Sequence, residues 1–374
     1  MKKNSIGILG GGQLCQMLAE YFIKNGSEVY FIDPSANPPA KFTKAVHINK
    51  NYDDLSALDE LINNCDLVTY EFENIPLECL DYLEGKINIF PSKQILSISQ
   101  NRLNEKNNFI KCEIKTPDFI SFSKKNNLEK ELEKAGIELP VILKTNTLGY
   151  DGKGQYHINK KEKIAETINL LDKNIDYIVE KKIQFQKEFS VIIGRTSKGE
   201  IYHFDPIENI HKNGILDISI SPPRIQNNTK KEAISLAKKF VERNNLIGII
   251  AIEMFLDLND QILFNEIAPR PHNSGHLTIE SHTISQFEML GRILSNKKME
   301  QPKLIKTSIM KNILGEFFIT KDHKKIIEKI SSNQDNFVKM YNKDEAKIGR
   351  KMGHITIFTE DIENSIVKIN ELID

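Results

Sequence analysis

Residues 248–276 read GIIAIEMFLDLNDQILFNEIAPRPHNSGH. Two apolar runs, 249–256 and 262–267, flank Asp257-Leu258-Asn259-Asp260, whose residue types favour a tight hairpin turn. A two-residue loop at Asn259-Asp260 would set Glu253 directly opposite Glu266. A four-residue loop would make them diagonal neighbours on the same face, because side chains alternate along a strand. Only an odd-length loop would separate them. Carboxylates facing one another at roughly 5 Å destabilise a strand pair. A shared proton, a Lys or Arg, or a divalent cation must offset the repulsion.

The flanking residues favour the cation. Asn265 adds a neutral oxygen donor beside Glu266, and Mg2+ takes oxygen ligands, commonly one or two carboxylates plus substrate phosphates. Arg270, His272, Asn273, Ser274 and His276 then crowd into seven residues, with Pro269 and Pro271 stiffening the chain. So many polar groups directly after an apolar strand describe a loop built to hold an anion. The competing reading is an ordinary edge hairpin with a polar loop.

Working outward, 374 residues allow two or three domains. Lys plus Arg and Asp plus Glu are 51 each, so the basic excess expected of a nucleic-acid protein is absent and small-molecule partners are expected. Cys15, Cys65, Cys79 and Cys112 show no metal or CxxC spacing and suit thiols in a reducing cytosol. No apolar run is long enough to span a membrane, and the N-terminal apolar stretch is too short for a signal peptide.

At the N-terminus, 5–9 is a strand, Gly10-Gly11-Gly12 a turn, and 13–25 a helix by its Leu14, Met17, Leu18 and Phe22 spacing. A second strand ends on Asp33. This βαβ unit presents backbone N–H groups suited to an anion. A dinucleotide fingerprint would need glycine where Cys15 stands, although Asp33 lies at the spacing of a ribose-binding acid, so a dehydrogenase remains an alternative. Strand 66–70 is followed by Glu71, Glu73 and Asn74, at the strand end where open α/β sheets bind ligands. A solvated acidic loop is the plainer reading.

A charged helix opens at Gln100-Asn101-Arg102 and is broken by Thr116-Pro117. Strand 140–144 ends on Lys144, and residues 149–154, GYDGKG, follow. Three glycines and two nearby lysines can wrap phosphates, although the Walker A order is absent and a plain hairpin turn is possible. Strand 175–180 ends on Glu180, which with nearby backbone groups could take up a base, and a later acid could take the ribose. Residues 188–194 form a further strand, 205–211 carry a loop histidine, and 230–244 an amphipathic helix. Beyond 300 the chain is Lys-rich and weakly patterned until GRKMGH at 349–354, which precedes an alternating strand at 355–358. Its adjacent cations suit an anion contact or a surface pair.

Taken together these stretches resemble the ATP-grasp superfamily and, within it, the N5-carboxyaminoimidazole ribonucleotide synthetases. The matching pieces are GGGQL (10–14), YEFENIP (70–76), QNRLNEK (100–106), LKTNTLGYDGKGQ (143–155), EFSVI (188–192), ENIH (208–211), NEIAPRPHNSGH (265–276), TSIMKNILG (307–315) and GRKMGH (349–354). They stand in the family's order over nearly the whole chain. The resemblance implies mixed α/β and α+β architecture: an N-terminal open parallel α/β pre-ATP-grasp domain (1–106), a small ATP-grasp lobe with the glycine-rich loop (107–180), a large lobe with the Mg-ATP site (181–300), and a small mostly β C-terminal domain (301–374).

It also implies a ligase of purine (IMP) biosynthesis. ATP, bicarbonate and 5-aminoimidazole ribonucleotide would give N5-carboxyaminoimidazole ribonucleotide, ADP and phosphate through carboxyphosphate. The implied nucleotide contacts are Arg102, Lys144, Gly149, Tyr150, Asp151, Gly152, Lys153, Gly154, Gln155, Glu180, Lys181, Lys182, Ile183, Glu188, His211, Asn265 and Glu266. Glu253 and Glu266 would bind Mg2+, with Mn2+ able to substitute. Asp151, Arg270, His272 and Lys351 would serve catalysis around bicarbonate and carboxyphosphate. Gly12, Gln13, Leu14, Glu73, Asn74, Tyr150, Asn273, Ser274, Arg350 and Lys351 would place the ribonucleotide, its phosphate near residues 10–13. A cytoplasmic homodimer passing its product to a mutase, without nucleic-acid or membrane partners, is the implied setting.

Two departures stand out. The family commonly reads GGGQLGRM where this chain has GGGQLCQM, and LKTNTLGYDGKG lacks the family's arginine after LKT and one glycine. The alternatives are a related ATP-grasp ligase using formate or another amine, the dehydrogenase, and a non-catalytic nucleotide-binding protein. The last predicts loss of a phosphate or metal residue, and none is lost.

Overall fold

The computed structural model describes residues 4–149 and 154–374. Its first lobe runs β1 (Ser5–Leu9), α1 (Gln13–Lys24), β2 (Glu28–Ile32), β3 (Val46–Ile48), α2 (Leu55–Asn64), β4 (Leu67–Tyr70), α3 (Leu77–Leu83), β5 (Asn88–Ile89), α4 (Lys93–Ser99) and α5 (Arg102–Lys111). β1–β5 form a parallel sheet in the order β3-β2-β1-β4-β5. The ends of β1 and β4, the two central neighbours, carry the glycine turn and the 71–76 loop, where an open α/β sheet presents its ligand side.

The second lobe comprises β6 (Phe119–Ser123), α6 (Leu128–Ala135), β7 (Val141–Thr145), β8 (Gln155–Ile158), α7 (Glu162–Leu170) and β9 (Asp176–Lys181). Its strands form an antiparallel sheet ordered β6-β9-β7-β8.

The remainder is built on β10 (Phe185–Arg195), β11 (Ile201–His203), β12 (Ile207–Lys212), β13 (Ile215–Ser221), α8 (Asn227–Arg243), β14 (Gly248–Asp257), β15 (Ile262–Ala268), α9 (Thr278–Ser281) and α10 (Gln286–Leu294). It continues through β16 (Ser308–Leu314), α11 (Gly315–Thr320), α12 (His323–Ser331), β17 (Asn336–Met340), β18 (Lys351–Phe358) and α13 (Ile362–Ile373). One sheet runs β15-β14-β10-β12-β13-β16-β18-β17, with β11 beside β10. The strands expected of a separate C-terminal domain therefore extend this sheet, joined where β16 pairs with β13.

The weakly patterned stretch beyond 300 holds strand β16, helix α12 and strand β17. Period-2 reading misses β16 because Lys311 and Asn312 are both buried in it. Lys311 is offset by Asp217 at 2.7 Å and Asp374 at 2.8 Å, as burial of a charge requires.

The large sheet divides its residues by face. Phe189, Val191, Ile193, Ile250, Ile252 and Met254 pack under the Ala233, Ala237, Phe240, Val241 face of α8. On the other face Ile192, Ile249 and Ala251 join a core with α1 and α10. Further along that face the alternation brings up Glu188, Ser190 and Glu253, with Ser190 opposite Glu253 in register. Strand alternation thus spends one face on the core and reserves part of the other for polar chemistry.

Candidate functional site

The hairpin places Glu253 opposite Glu266 by a route that loop length alone does not give. Asp257 N–H bonds Gln261 C=O, and residues 258–260 form the loop, with Asp260 left-handed at φ 59°. Asp257 Oδ1 accepts from the N–H groups of Asn259 and Gln261, both at 2.8 Å. This three-residue loop is odd, so it should have put the carboxylates on opposite faces. The ladder, however, pairs Met254 with Phe264 and then Glu253 with Glu266, leaving Asn265 as a bulge that restores the apposition.

Helix α5 secures that bulge. Arg102, Glu105, Lys106 and Phe109 recur at helical spacing, and all four are buried. Lys106 Nζ donates to the Asn265 carbonyl at 2.6 Å, and Glu105 Oε1 accepts the Ile267 N–H at 2.7 Å. Arg102 reaches Glu266 Oε2 at 3.2 Å and the Gly149 carbonyl at 2.7 Å. Burial pushes the Glu105 carboxyl up to about 8, and the Glu266 charge adds to this against Lys106. Burial also lowers Lys106.

Lys144, on β7, bonds Glu180, on the neighbouring β9, at 2.9 Å, and Lys106 stands 3.7 Å from the same oxygen. Burial alone would raise Glu180, but Lys106 and then Lys144 hold it down at about 2. Its second oxygen, Oε1, is buried without a partner, an orphan that a ligand donor would satisfy. Next along the chain, the N–H groups of Lys181 and Lys182 bond Asp118 and Pro140 carbonyls, and Ile183 is half-buried. Gly154 is left-handed at φ 71° against Thr145, and Gln155 pairs with Lys144 in register. Tyr150, Asp151, Gly152 and Lys153 lie outside the described residues.

Across the sheet, His211 Nδ1 is 2.9 Å from Glu188 Oε2. Burial opposes a charge on His211, yet Glu188, Glu253 and Glu266 together raise it to about 9. Ligand atoms of Glu188, His211 and Glu253 lie within 4.8 Å of one another. Glu253 Oε1 meets His272 Nε2 at 3.1 Å. Although burial would raise the Glu253 carboxyl, the His272 bond, then His211 and Lys351, hold it at about 2. Lys351, at the start of β18, thereby brings the C-terminal segment to the carboxylates. Arg350 instead donates to the Glu345 carbonyl in its own loop.

The 270–276 loop is internally fixed. His272 Nδ1 accepts the Ser274 N–H at 3.3 Å, which leaves the ring proton on Nε2, facing Glu253. Ser274 Oγ lies 2.9 Å from the same Nδ1 and 2.7 Å from Ser190 Oγ. Asn273 and Asn312 exchange two buried amide bonds, of 3.0 and 2.6 Å. Arg270 pairs with Glu73 through both its Nε and its Nη2, the latter at 2.7 Å, joining this loop to the first lobe. Gln100 anchors that side by donating to the carbonyls of Glu73 and Ile75. Asn74 is half-buried beside Glu73.

The glycine turn corrects one expectation. The carboxylate of Glu71, expected to be turned to a ligand, is turned back onto the N-terminus of α1, accepting the Gly12 N–H at 2.8 Å and the Cys15 N–H at 3.4 Å. Asp33 accepts the Gly11 N–H at 2.8 Å, so it serves the turn, and the dehydrogenase reading loses its ribose-binding acid. A side chain at Gly10 or Gly12 would strike Glu71, which is why the turn is glycine. An incoming phosphate therefore finds Gly11 and Gly12 already engaged. Among the described residues only the Gln13 and Leu14 N–H groups of this turn remain without an acceptor.

Sequence reading missed Glu105, Lys106, Gln100, Ser190 and Asn312. For α5 a signal existed: three charged residues share a helical face with Phe109, which a solvated helix has no reason to arrange. For the others the partner lies far away in sequence, and residue type alone carries no signal.

Comparison with known proteins agrees throughout the chain. Residues 1–100 match the ribonucleotide synthetase preATP-grasp domain, 107–287 the ATP-grasp domain, and 308–367 the phosphoribosylaminoimidazole carboxylase C-terminal domain. The N5-carboxyaminoimidazole ribonucleotide synthase of Staphylococcus aureus (strain COL) is 37% identical over 366 residues, 96% of this chain and 94% of that one. The Bacillus subtilis (strain 168) synthase is 36% identical over 365 residues, 97% and 94% of the two chains. Among solved structures, an ADP complex of an N5-carboxyaminoimidazole ribonucleotide synthetase superposes with TM-score 0.92 at 37% identity, covering 99% of this chain and 96% of that one. The Aspergillus clavatus enzyme with ADP and 5-aminoimidazole ribonucleotide gives TM-score 0.89 at 29% identity, covering 100% and 98%.

Proposed function

Because this chain belongs to the N5-carboxyaminoimidazole ribonucleotide synthase family of ATP-grasp enzymes, we infer that it is a ligase carboxylating 5-aminoimidazole ribonucleotide with ATP in purine biosynthesis. The observation that carries this reading to the site is Glu253 opposite Glu266, with His272 on one and Arg102 on the other.

Bicarbonate is the carboxyl donor in this reading and carboxyphosphate the intermediate. The oxygen-rich pair fits a divalent cation. Each carboxylate has one engaged oxygen, leaving Glu253 Oε2 and Glu266 Oε1 without a protein partner among the described residues. Such an ion, Mg2+ or Mn2+, neutralises charge on the ATP phosphates when bound. Lys144 and the 149–154 loop hold the phosphates. Glu180, Glu188 and His211 face the nucleoside, and the orphan Glu180 oxygen supports a donor there. Excluding water from this site protects carboxyphosphate from hydrolysis. Arg270, His272 and Lys351 surround the bicarbonate and carboxyphosphate.

The ribonucleotide lies against Glu73, Asn74, Asn273, Ser274 and the start of β18. Its phosphate uses the open N–H groups of Gln13 and Leu14 rather than those of Gly11 and Gly12. Apart from Arg102, which serves the nucleotide, residues 1–106 serve the ribonucleotide; apart from the 270–274 loop, 107–180 and 181–300 hold the nucleotide; and 301–374 supply Lys351. Among the described residues no helix is long and apolar enough to cross a membrane. A cytoplasmic homodimer that hands its product to a mutase completes the proposal.

The test is phosphate release with Mg-ATP and bicarbonate, with and without 5-aminoimidazole ribonucleotide. Release that requires the ribonucleotide, matched by loss of its free amine, is expected. ATP binding by folded protein without such release would transfer the assignment to another amine acceptor.

A further inference from the structure

Gln286, the first residue of α10, is fully buried, and its carboxamide is spent entirely on the 270–276 loop. Its Oε1 accepts the His272 N–H at 2.8 Å, and its Nε2 donates to the His272 carbonyl at 2.8 Å and faces His276 Nδ1 at 3.1 Å. The amide orientation is unambiguous, since a main-chain donor meets one end and a main-chain acceptor the other. Gln286 thus pairs with His272 as a neighbouring strand would, although no strand lies there, and holds its backbone extended at φ −121°, ψ 151°.

Gln286 is fixed in turn. Its N–H bonds Thr278 Oγ1 at 3.0 Å, and that hydroxyl donates to the Gly275 carbonyl at 2.6 Å. The packing has no slack: a Cβ at Gly275 would stand 2.3 Å from Ile192 Cδ1 and 2.5 Å from Gln286 Oε1. None of these groups reaches the Glu253–Glu266 pair itself. Their effect passes through the His272 ring, whose Nε2–H points at Glu253.

We propose that Gln286 is a positioning residue for the carboxylation step, clamping the main chain of His272 so that its ring is held between Glu253 and Ser274. The inference rests on the functional reading above. Buried amide bonds of this kind are strongly favoured over any rearrangement that leaves a partner unpaired. A clamp whose bonds go to His272, His276 and Thr278, and not to Lys144 or Glu180, should govern the carboxyl transfer that comes after ATP cleavage, and not ATP binding.

The experiment compares the native protein with Gln286→Met and Gln286→Glu, measuring ATP KM, ribonucleotide-dependent kcat, phosphate released per amine consumed, and thermal midpoint. Gln286→Met should lower kcat about 100-fold, the scale of a ~1 Å misplacement, with ATP KM within about twofold of native and more than one phosphate released per amine consumed. Gln286→Glu keeps the length and the acceptor for His272 N–H. Its ionised carboxylate repels the His272 carbonyl and its protonated form restores a donor, so its kcat relative to native should rise as pH falls.

Folded variants with native kcat and native stoichiometry would overturn the proposal. So would a lowered thermal midpoint with unchanged turnover, which marks a merely structural glutamine. If Gln286→Met does not fold, Gln286→Glu decides through its pH profile, and a profile parallel to native overturns the proposal. A native protein showing no ribonucleotide-dependent release would count against the functional reading instead.

Discussion

Lys106 donates to the main-chain carbonyl of Asn265 at 2.6 Å, filling the place that a ladder partner would take had Asn265 not bulged out of the strand pair. The bulge makes Glu266 face Glu253, so a lysine on α5 underwrites the geometry of a carboxylate pair it does not touch. Removing that lysine while keeping its volume tests the relationship. Lys106→Met should cost about 3 kcal/mol, since it leaves a buried carbonyl unpaired and takes one of two cations from Glu180. A urea midpoint unchanged from native would show that the bulge needs no such support.

Glu266→Gln keeps the shape and the hydrogen-bonding reach of the side chain but removes a charge from the pair. Turnover should fall by roughly 10²–10³, the scale on which electrostatic stabilisation of a transition state is lost. Circular dichroism and thermal midpoint should be close to native. Near-native turnover at saturating Mg2+ would end the metal role.

His211 supplies a pH signature of stability in the absence of ligands. Its folded value, about 9, lies above the ordinary 6.5. Its stabilising contribution is therefore complete below about 6.5 and is lost as pH rises through about 9. Glu253 acts in the opposite sense: lowered to about 2, it contributes fully above 4.5 and loses that contribution as pH falls through about 2. The difference in thermal midpoint between native protein and His211→Asn should shrink from pH 6 to pH 10, which scanning calorimetry across that range would show. A constant difference would place the His211 charge outside the folding balance.

Lys351→Ala should raise the KM values for bicarbonate and ribonucleotide and lower kcat, with the ATP dissociation constant unaltered. Titration calorimetry with ATP separates the two effects. A weakened ATP affinity beside otherwise normal ligation would contradict the assignment.

Much of this site is legible in residues 248–276 because strand alternation is a strict rule, and a same-face Glu253/Glu266 pair follows for any even loop. The actual loop is odd, and the bulge at Asn265 that compensates has no local signal, since its support comes from α5. The glycine turn misleads for a related reason. Three glycines before a helix advertise free N–H groups, but only the fold reveals that Glu71 and Asp33 reach them first. Likewise β16 is hidden because Lys311 and Asn312 read as surface residues, while Asp217, Asp374 and Asn273 make them interior ones. Periodicity reports where apolar surface goes. It is silent on polar groups that are buried with partners from elsewhere in the chain.

The unbroken sheet from β15 to β17 settles which parts of the machine can act as jaws. Glu253 and Glu266 on one side, and Lys351 on the other, ride the same hydrogen-bonded plank, so their spacing cannot open or close without shearing a ladder. The four-stranded β6–β9 lobe, which carries Lys144 and Glu180, lies outside that ladder and joins it through residues 182–184 and through the 112–118 segment, where Lys115 and Thr116 bond Phe264. α5 is a third attachment, its Arg102 and Leu103 N–H groups bonding Asn146 just past the end of β7. The anvil is one ladder, and the helix that frames it also holds the other lobe in place.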